Sequence, residues 1–179
     1  LLATAGLAGC SVNPATGDQN FTGFMSLDDE QRIGATEHPK ILKSFGGAYK
    51  DQAVITYVSN IGNQLAAKSE LPNITWTFTV LNSPQINAFA LPGGYVYVTR
   101  GLMALASSEA ELAGVMAHEI GHVTGRHTAQ RYSKATGASV LGAILGIAVG
   151  SSAVSELFNV GAGLYLKSFS REQEFEADS

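Results

Sequence analysis

No other five residues constrain this chain as much as His118-Glu119-Ile120-Gly121-His122. Positions four apart on an α-helix lie on one face, one turn above the other. Two imidazoles so spaced can reach a single metal ion of the kind held in zinc sites. Glu119 falls beside such a metal rather than on it, where it can take a proton from a water molecule. A fold that uses these residues must bury one side of the helix and keep the histidine side open. It must also bring in a third ligand from elsewhere.

The sequence offers three places to look for that ligand. A metzincin frame would read H-E-x-x-H-x-x-G-x-x-H. Gly125 fits it, but the last position is Thr128, so His127 misses by one and reads as polar surface on or after the helix. His38, followed by Pro39 on a distant early segment, reads as a lone solvated histidine. The third place is the run from Ser170 to Asp178. If that run is helical, Glu174 and Asp178 share a face. One carboxylate can bind the metal while the other accepts the spare N–H of a ligand histidine. Glu172 and Glu176 have the same spacing, and a charged, solvated face is the competing reading, so geometry leaves the choice open.

The rest of the chain supplies a scaffold. Ser26-Leu27-Asp28-Asp29 resembles a helix start, and a helix is expected from about 27 to 46, stopping near Gly46-Gly47. Val54, Val58, Ile61 and Leu65 recur at helical spacing and predict a second helix over 51 to 68. Residues 74 to 80 alternate apolar and polar and read as a strand. Residues 86 to 91 and 95 to 99 read as two more, joined by the turn Pro92-Gly93-Gly94. Ser108 to Glu111 fits a capping box that opens the helix bearing the two histidines. Leu112, Val115, Met116 and Ile120 form its buried stripe. Helices, a small antiparallel sheet, then helices make an α+β arrangement. Residues 135 to 155 carry no charge, but they are diluted by Gly, Ser, Ala and Thr. They read as a buried or mobile apolar helical hairpin rather than a membrane span.

A length of 179 residues suits one domain with a core, and a net charge of −4 without a Lys/Arg run argues against a nucleic-acid partner. The single cysteine, Cys10, forms no internal disulfide. It follows an apolar run ending Leu7-Ala8-Gly9, which resembles a bacterial lipobox in which Cys10 becomes the lipidated first residue. The expected organisation is therefore a partial signal peptide over 1–10, a tether over 11–25 and the main domain over 26–179. A C-terminal helix is expected to continue past Ser179. By resemblance to bacterial lipoproteins, Ser11 suggests sorting to the outer membrane.

Asn87-Ala88-Phe89-Ala90-Leu91-Pro92-Gly93-Gly94, Ser108 to Val115, the His118–His122 motif and Glu174-x-x-Ala177-Asp178 form a specific combination. Together they resemble the zinc metallopeptidase family that joins the CAAX prenyl endopeptidase, the HtpX membrane protease and the BepA-like periplasmic proteases. The resemblance runs from about Leu27 to the end. It implies a mainly helical, zincin-like (gluzincin) domain with the motif on a core helix. It implies one Zn2+ per chain held by His118, His122 and Glu174, with Asp178 behind a ligand histidine and Glu119 as the catalytic base. The lipobox, and the lack of evident membrane helices around the motif, favour the periplasmic lipoprotein branch.

The implied function is a zinc-dependent endopeptidase for misfolded or unassembled cell-envelope proteins, with the outer-membrane assembly machinery as a partner. The alternative is a zinc-stabilised chaperone or assembly factor with latent protease activity. Asn87, Ala88, Phe89 and Ala90, with Tyr95 to Thr99, either offer an edge strand to an extended substrate or only complete the sheet. Tyr165 and Arg171 are candidates for oxyanion stabilisation by type and position alone. Core packing and ion pairing are their competing readings.

Overall fold

Alternation along three short strands sets the layering. The computed structural model describes residues 10–12, 17, 19–133 and 169–178. Its elements are β1 (Cys10–Val12), β2 (Gln19–Phe21), α1 (Leu27–Ser44), α2 (Gln52–Ala66), β3 (Thr77–Leu81), β4 (Ala88–Leu91), β5 (Tyr95–Thr99), α3 (Arg100–Leu105) and α4 (Glu109–Thr124). Residues 127–133 are helical and are called α5, and Arg171–Ala177 form α6. In the main sheet Leu81, Phe89, Leu91 and Tyr97 point to one side, where they pack on Ile41 of α1 and Phe45 at its C-cap. Val80 and Val98 point to the other, against Val58 and Ile61 of α2 and Leu112 and Met116 of α4. Side chains two apart share a sheet face, so each strand contributes to both cores. The domain is α+β and mainly helical, with α4 held between the sheet and α6.

The expected antiparallel sheet is in fact mixed. The strand order is β3-β5-β4, with β3 and β5 parallel and β4 and β5 antiparallel. The reason lies in β5, where Val96, Tyr97 and Val98 are all buried, on both faces. Such a strand belongs in the middle of a sheet. The chain leaves β3, runs to the far edge to form β4, and turns at Pro92-Gly93-Gly94 so that β5 inserts between them.

The first strand of this sheet also begins later than the alternation predicted, at Thr77 rather than near residue 74. Ile74 N–H and the Trp76 indole both donate to Leu71 O, which holds this stretch in a turn. Pairing starts only where Thr77 N–H reaches Gly94 O. Helix α3 was not expected. Thr99 starts it by accepting a hydrogen bond from Leu102 N–H on its hydroxyl.

Within the stretch read as a tether, β1 and β2 pair antiparallel, and Thr22 and Met25 are buried near the end of α4. The charge-free stretch 135–155 and Tyr165 lie outside the described residues, as do residues 1–9. Among the described residues no helix is long and apolar enough to cross a membrane.

Candidate metal centre

Helix α4 is started by Ser108, whose hydroxyl accepts from Glu111 N–H. The return bond of the expected capping box goes one residue further back, from Ser107 N–H to Glu111 Oε2. Leu112, Met116, Ile120 and Val123 bury one stripe of the helix. His118 and His122 stand beside that stripe. His118 is half-buried and His122 is buried. Their Nε2 atoms lie 3.1 Å apart.

Helix α6 completes the group. Ser170 caps it in a reciprocal pair with Gln173, which orients its first turn. Glu174 then places Oε2 3.3 Å from His118 Nε2 and Oε1 3.9 Å from His122 Nε2. One ligand atom from each of His118, His122 and Glu174 falls within 4.8 Å of the others. One turn on, Asp178 Oδ1 lies 2.7 Å from His118 Nδ1. Of the four acids in α6 and its cap, Glu174 and Asp178 face the histidine pair. Glu172 is exposed, and Glu176 lies against His127 instead.

The approach of α6 to α4 depends on Gly121 at the centre of the motif. A Cβ there would meet Ala177 O at 2.6 Å and Ala177 Cα at 2.9 Å. A Gly121→Val substitution therefore presses on the helix that carries Glu174 and Asp178. Overpacking of this kind costs about 1–3 kcal/mol, and each 1.4 kcal/mol taken from the docking of α6 is about tenfold in metal affinity. The expected result is zinc binding weakened by roughly tenfold or more, with far-UV dichroism retained. Titration against a chromophoric chelator measures it, and an unchanged affinity would show that α6 docks independently of this contact.

The donor set fits a metal. Asp178, as a carboxylate, only accepts, so His118 carries its proton on Nδ1 and turns the Nε2 lone pair inward. His122 Nδ1 is likewise engaged, 2.7 Å from His127 Nδ1. Burial, with the neighbouring histidines, holds His122 well below the usual histidine range, at about 3, so it is a neutral imidazole. Two imidazole nitrogens and a carboxylate oxygen converging on one point suit zinc or a similar divalent ion. The ring of Phe169 stacks on His122 at 3.9 Å between centroids and closes one side of the group.

Glu119 sits beside the ligands. Burial, opposed by His118 and reinforced by Glu174, pushes its carboxyl up to about 7, and Ala90 N–H donates to it. That bond follows from the sheet. Thr99 N–H donates to Asn87 O, so odd-numbered residues of this edge turn their backbone groups toward β5 and even-numbered ones outward. Ala88 and Ala90 therefore face out from β4 alongside α4. Asn87 is spent on the β5 side, donating its N–H to Thr99 Oγ1.

Two histidine expectations are overturned. His127, read as polar surface, is fully buried against His122, because the Gly125-Arg126 turn carries the chain back into the core as α5 begins. No spacing rule links positions 122 and 127, so sequence reasoning missed it. His38 is not simply solvated. It is half-buried, its Nδ1 is 2.7 Å from the Tyr97 hydroxyl, and burial lowers its pKa. It lies on α1, outside the metal group. Arg171 is exposed at the start of α6.

The model of peptidase family M48 matches residues 53–179. Among curated proteins, a mitochondrial metalloendopeptidase OMA1 of Schizosaccharomyces pombe is 31% identical over 156 residues, covering 86% of this chain and 46% of that one. The OMA1 metalloendopeptidase of Arabidopsis thaliana is 40% identical over 114 residues, covering 63% of this chain and 23% of its own. A beta-barrel assembly-enhancing protease of Yersinia pestis is 34% identical over 163 residues, covering 86% and 33%. In each case the chain spans less than half the length of the relative it matches.

Proposed function

We propose a zinc-dependent endopeptidase activity for this chain, which belongs to peptidase family M48. The observation that carries the proposal is the convergence of His118, His122 and Glu174 on one point with the Glu119 carboxyl beside it. The ligands would be His118 Nε2, His122 Nε2 and Glu174. Zinc, when bound, supplies a Lewis acid that acidifies a water molecule and polarises the scissile carbonyl.

The chain's own residues do the rest. Glu119 accepts the proton of the attacking water and passes it to the leaving amine. A carboxylate placed beside the ligand group is within reach of the water to take its proton and return it to the amine. Ala90 N–H holds that carboxylate in place while it does so. Asp178 keeps His118 in the tautomer that points Nε2 at the metal. The outward backbone groups at Ala88 and Ala90 offer an extended peptide an edge to pair with, although Ala90 N–H is already given to Glu119. Asn87, Ala88, Phe89 and Ala90 are in this sense the proposed substrate strand.

In the cell we propose that the domain removes misfolded or unassembled envelope proteins from the bacterial periplasm, in concert with the outer-membrane assembly machinery. A lipid on Cys10 would hold it at the outer membrane. The lipobox-like context of Cys10 and the names of the bacterial relatives support this reading. The mitochondrial relatives lend the same weight to endopeptidase chemistry in a different compartment.

Cleavage of an unstructured polypeptide is expected to fall to background in a strong chelator. It should return on adding zinc, saturating at one ion per chain. Cleavage that persists in chelator at the original rate would overturn the metal reading.

A further inference from the structure

We propose that His127, backed by Glu176, is a positioning residue for the metal site, fixing the tautomer and ring plane of His122 as Asp178 does for His118. The inference deepens the zinc reading above and rests on it. His127 opens α5 and is fully buried. Its ring lies 5.0 Å from that of His122, inclined at 72°, and the two Nδ1 atoms are 2.7 Å apart. At that distance one nitrogen donates and the other accepts. His122 Nε2 faces His118 Nε2 and Glu174, so a ligating His122 needs its lone pair there and carries its single proton on Nδ1. His122 is therefore the donor and His127 Nδ1 the acceptor. The remaining proton of His127 then sits on Nε2, which is buried without a hydrogen-bond partner among the described residues and has Glu176 Oε2 as an ion-pair neighbour at 3.4 Å. A carboxylate, an imidazole and a ligand imidazole thus follow one another inward from α6 through α5 to α4, hydrogen-bonded between the two rings and in ion-pair range at the carboxylate.

The fold makes room for this chain specifically. A Cβ at Gly125 would come within 2.5 Å of His127 Nε2 and 2.9 Å of its Cδ2, so the ring lies directly over the glycine. Gln173 Nε2 reaches His127 O at 3.4 Å and so ties the backbone of α5 to α6. Glu174 and Glu176 thus come from the same short helix, one to the ligand group and one to the group behind a ligand. Partners of this kind hold a ligand ring in one orientation and strengthen it as a donor, and losing one typically costs about 10–100-fold in metal affinity.

The test is zinc affinity by chelator competition, with the visible spectrum of the cobalt-loaded protein as a second readout, on the whole chain. His127→Ala is expected to bind zinc roughly 10–100-fold more weakly, with an altered cobalt spectrum and native far-UV dichroism. His127→Asn should recover most of the affinity, because its Oδ1 can stand where Nδ1 accepted. Glu176→Gln should weaken binding by a smaller factor. Equal affinities and spectra for wild type and His127→Ala would overturn the proposal. So would equal weakening in the Ala and Asn variants, which would make His127 a packing residue. If His127→Ala does not fold, Glu176→Gln decides, and wild-type affinity there would overturn the relay. Failure of the zinc reading has a different signature. In that case wild type binds no zinc, or His118→Ala binds it unchanged, and the positioning role falls with it.

Discussion

Glu119→Gln is expected to keep its zinc and to lose about 10²–10⁴-fold in peptide cleavage, the range by which a positioned general acid–base accelerates a reaction. The substitution changes little else. Glutamine has nearly the same shape, and its Oε1 can still accept the hydrogen bond from Ala90 N–H that orients the native carboxylate. It cannot take a proton from water. The proposed metal ligands are untouched, since His118 Nε2, His122 Nε2 and Glu174 converge without Glu119. Zinc content and cleavage should therefore separate cleanly, with one ion per chain in both proteins and turnover in only one. Cleavage at the wild-type rate would remove Glu119 from the mechanism and leave the base unidentified. A different outcome would favour the latent-protease alternative. Wild type and variant would then both hold zinc and both bind an unfolded polypeptide, and neither would cut it.

The part of this site that was legible in the sequence is the part whose geometry is local. His118 and His122 are one helical turn apart, and any α-helix through them puts both rings on one side. Glu174 and Asp178 obey the same rule on their own helix. What the spacing of four could not supply was which acids of the C-terminal run would face the histidines, because Glu172 and Glu176 repeat the pattern. That choice is made by the contact of Ala177 with Gly121, which sets the rotation of α6 on α4. The sheet shows the same division. Alternation located the strands to within a few residues, but their order depends on β5 being apolar on both faces, a property of packing rather than of period. His127 was misread for a related reason. Its burial follows from the turn at Gly125-Arg126, where Arg126 adopts a φ of 54°. An arginine gives no local signal for the left-handed region.

That same residue carries the largest expected effect on stability. Arg126 Nε lies 2.8 Å from Glu30 Oε1, and the Glu30 side chain is only 3% exposed. Two further bonds run to Met25 O at 2.7 Å and Thr22 Oγ1 at 3.3 Å. One guanidinium thus ties the entry to α1 to the turn after the motif helix. Burial raises the pKa of Glu30, and Arg126 opposes that rise. Removing the cation strands a carboxylate that has lost its water, so Arg126→Met is expected to cost about 3–5 kcal/mol at pH 7. The sign with pH follows. With its partner gone, Glu30 titrates in the folded protein still further above its unfolded value. The folded state then binds the extra proton, and stability falls as pH rises through the folded pKa. The deficit of Arg126→Met relative to wild type should therefore shrink as the pH is lowered from 7 toward 5. Adding Glu30→Gln to Arg126→Met should recover a large share of the loss at pH 7, because the group left buried is then neutral. Urea unfolding of the metal-free proteins across that range measures both. A loss under about 1 kcal/mol at pH 7, or a deficit independent of pH, would mean that Glu30 finds water once the arginine is gone. The clamp would then be a matter of packing rather than of charge.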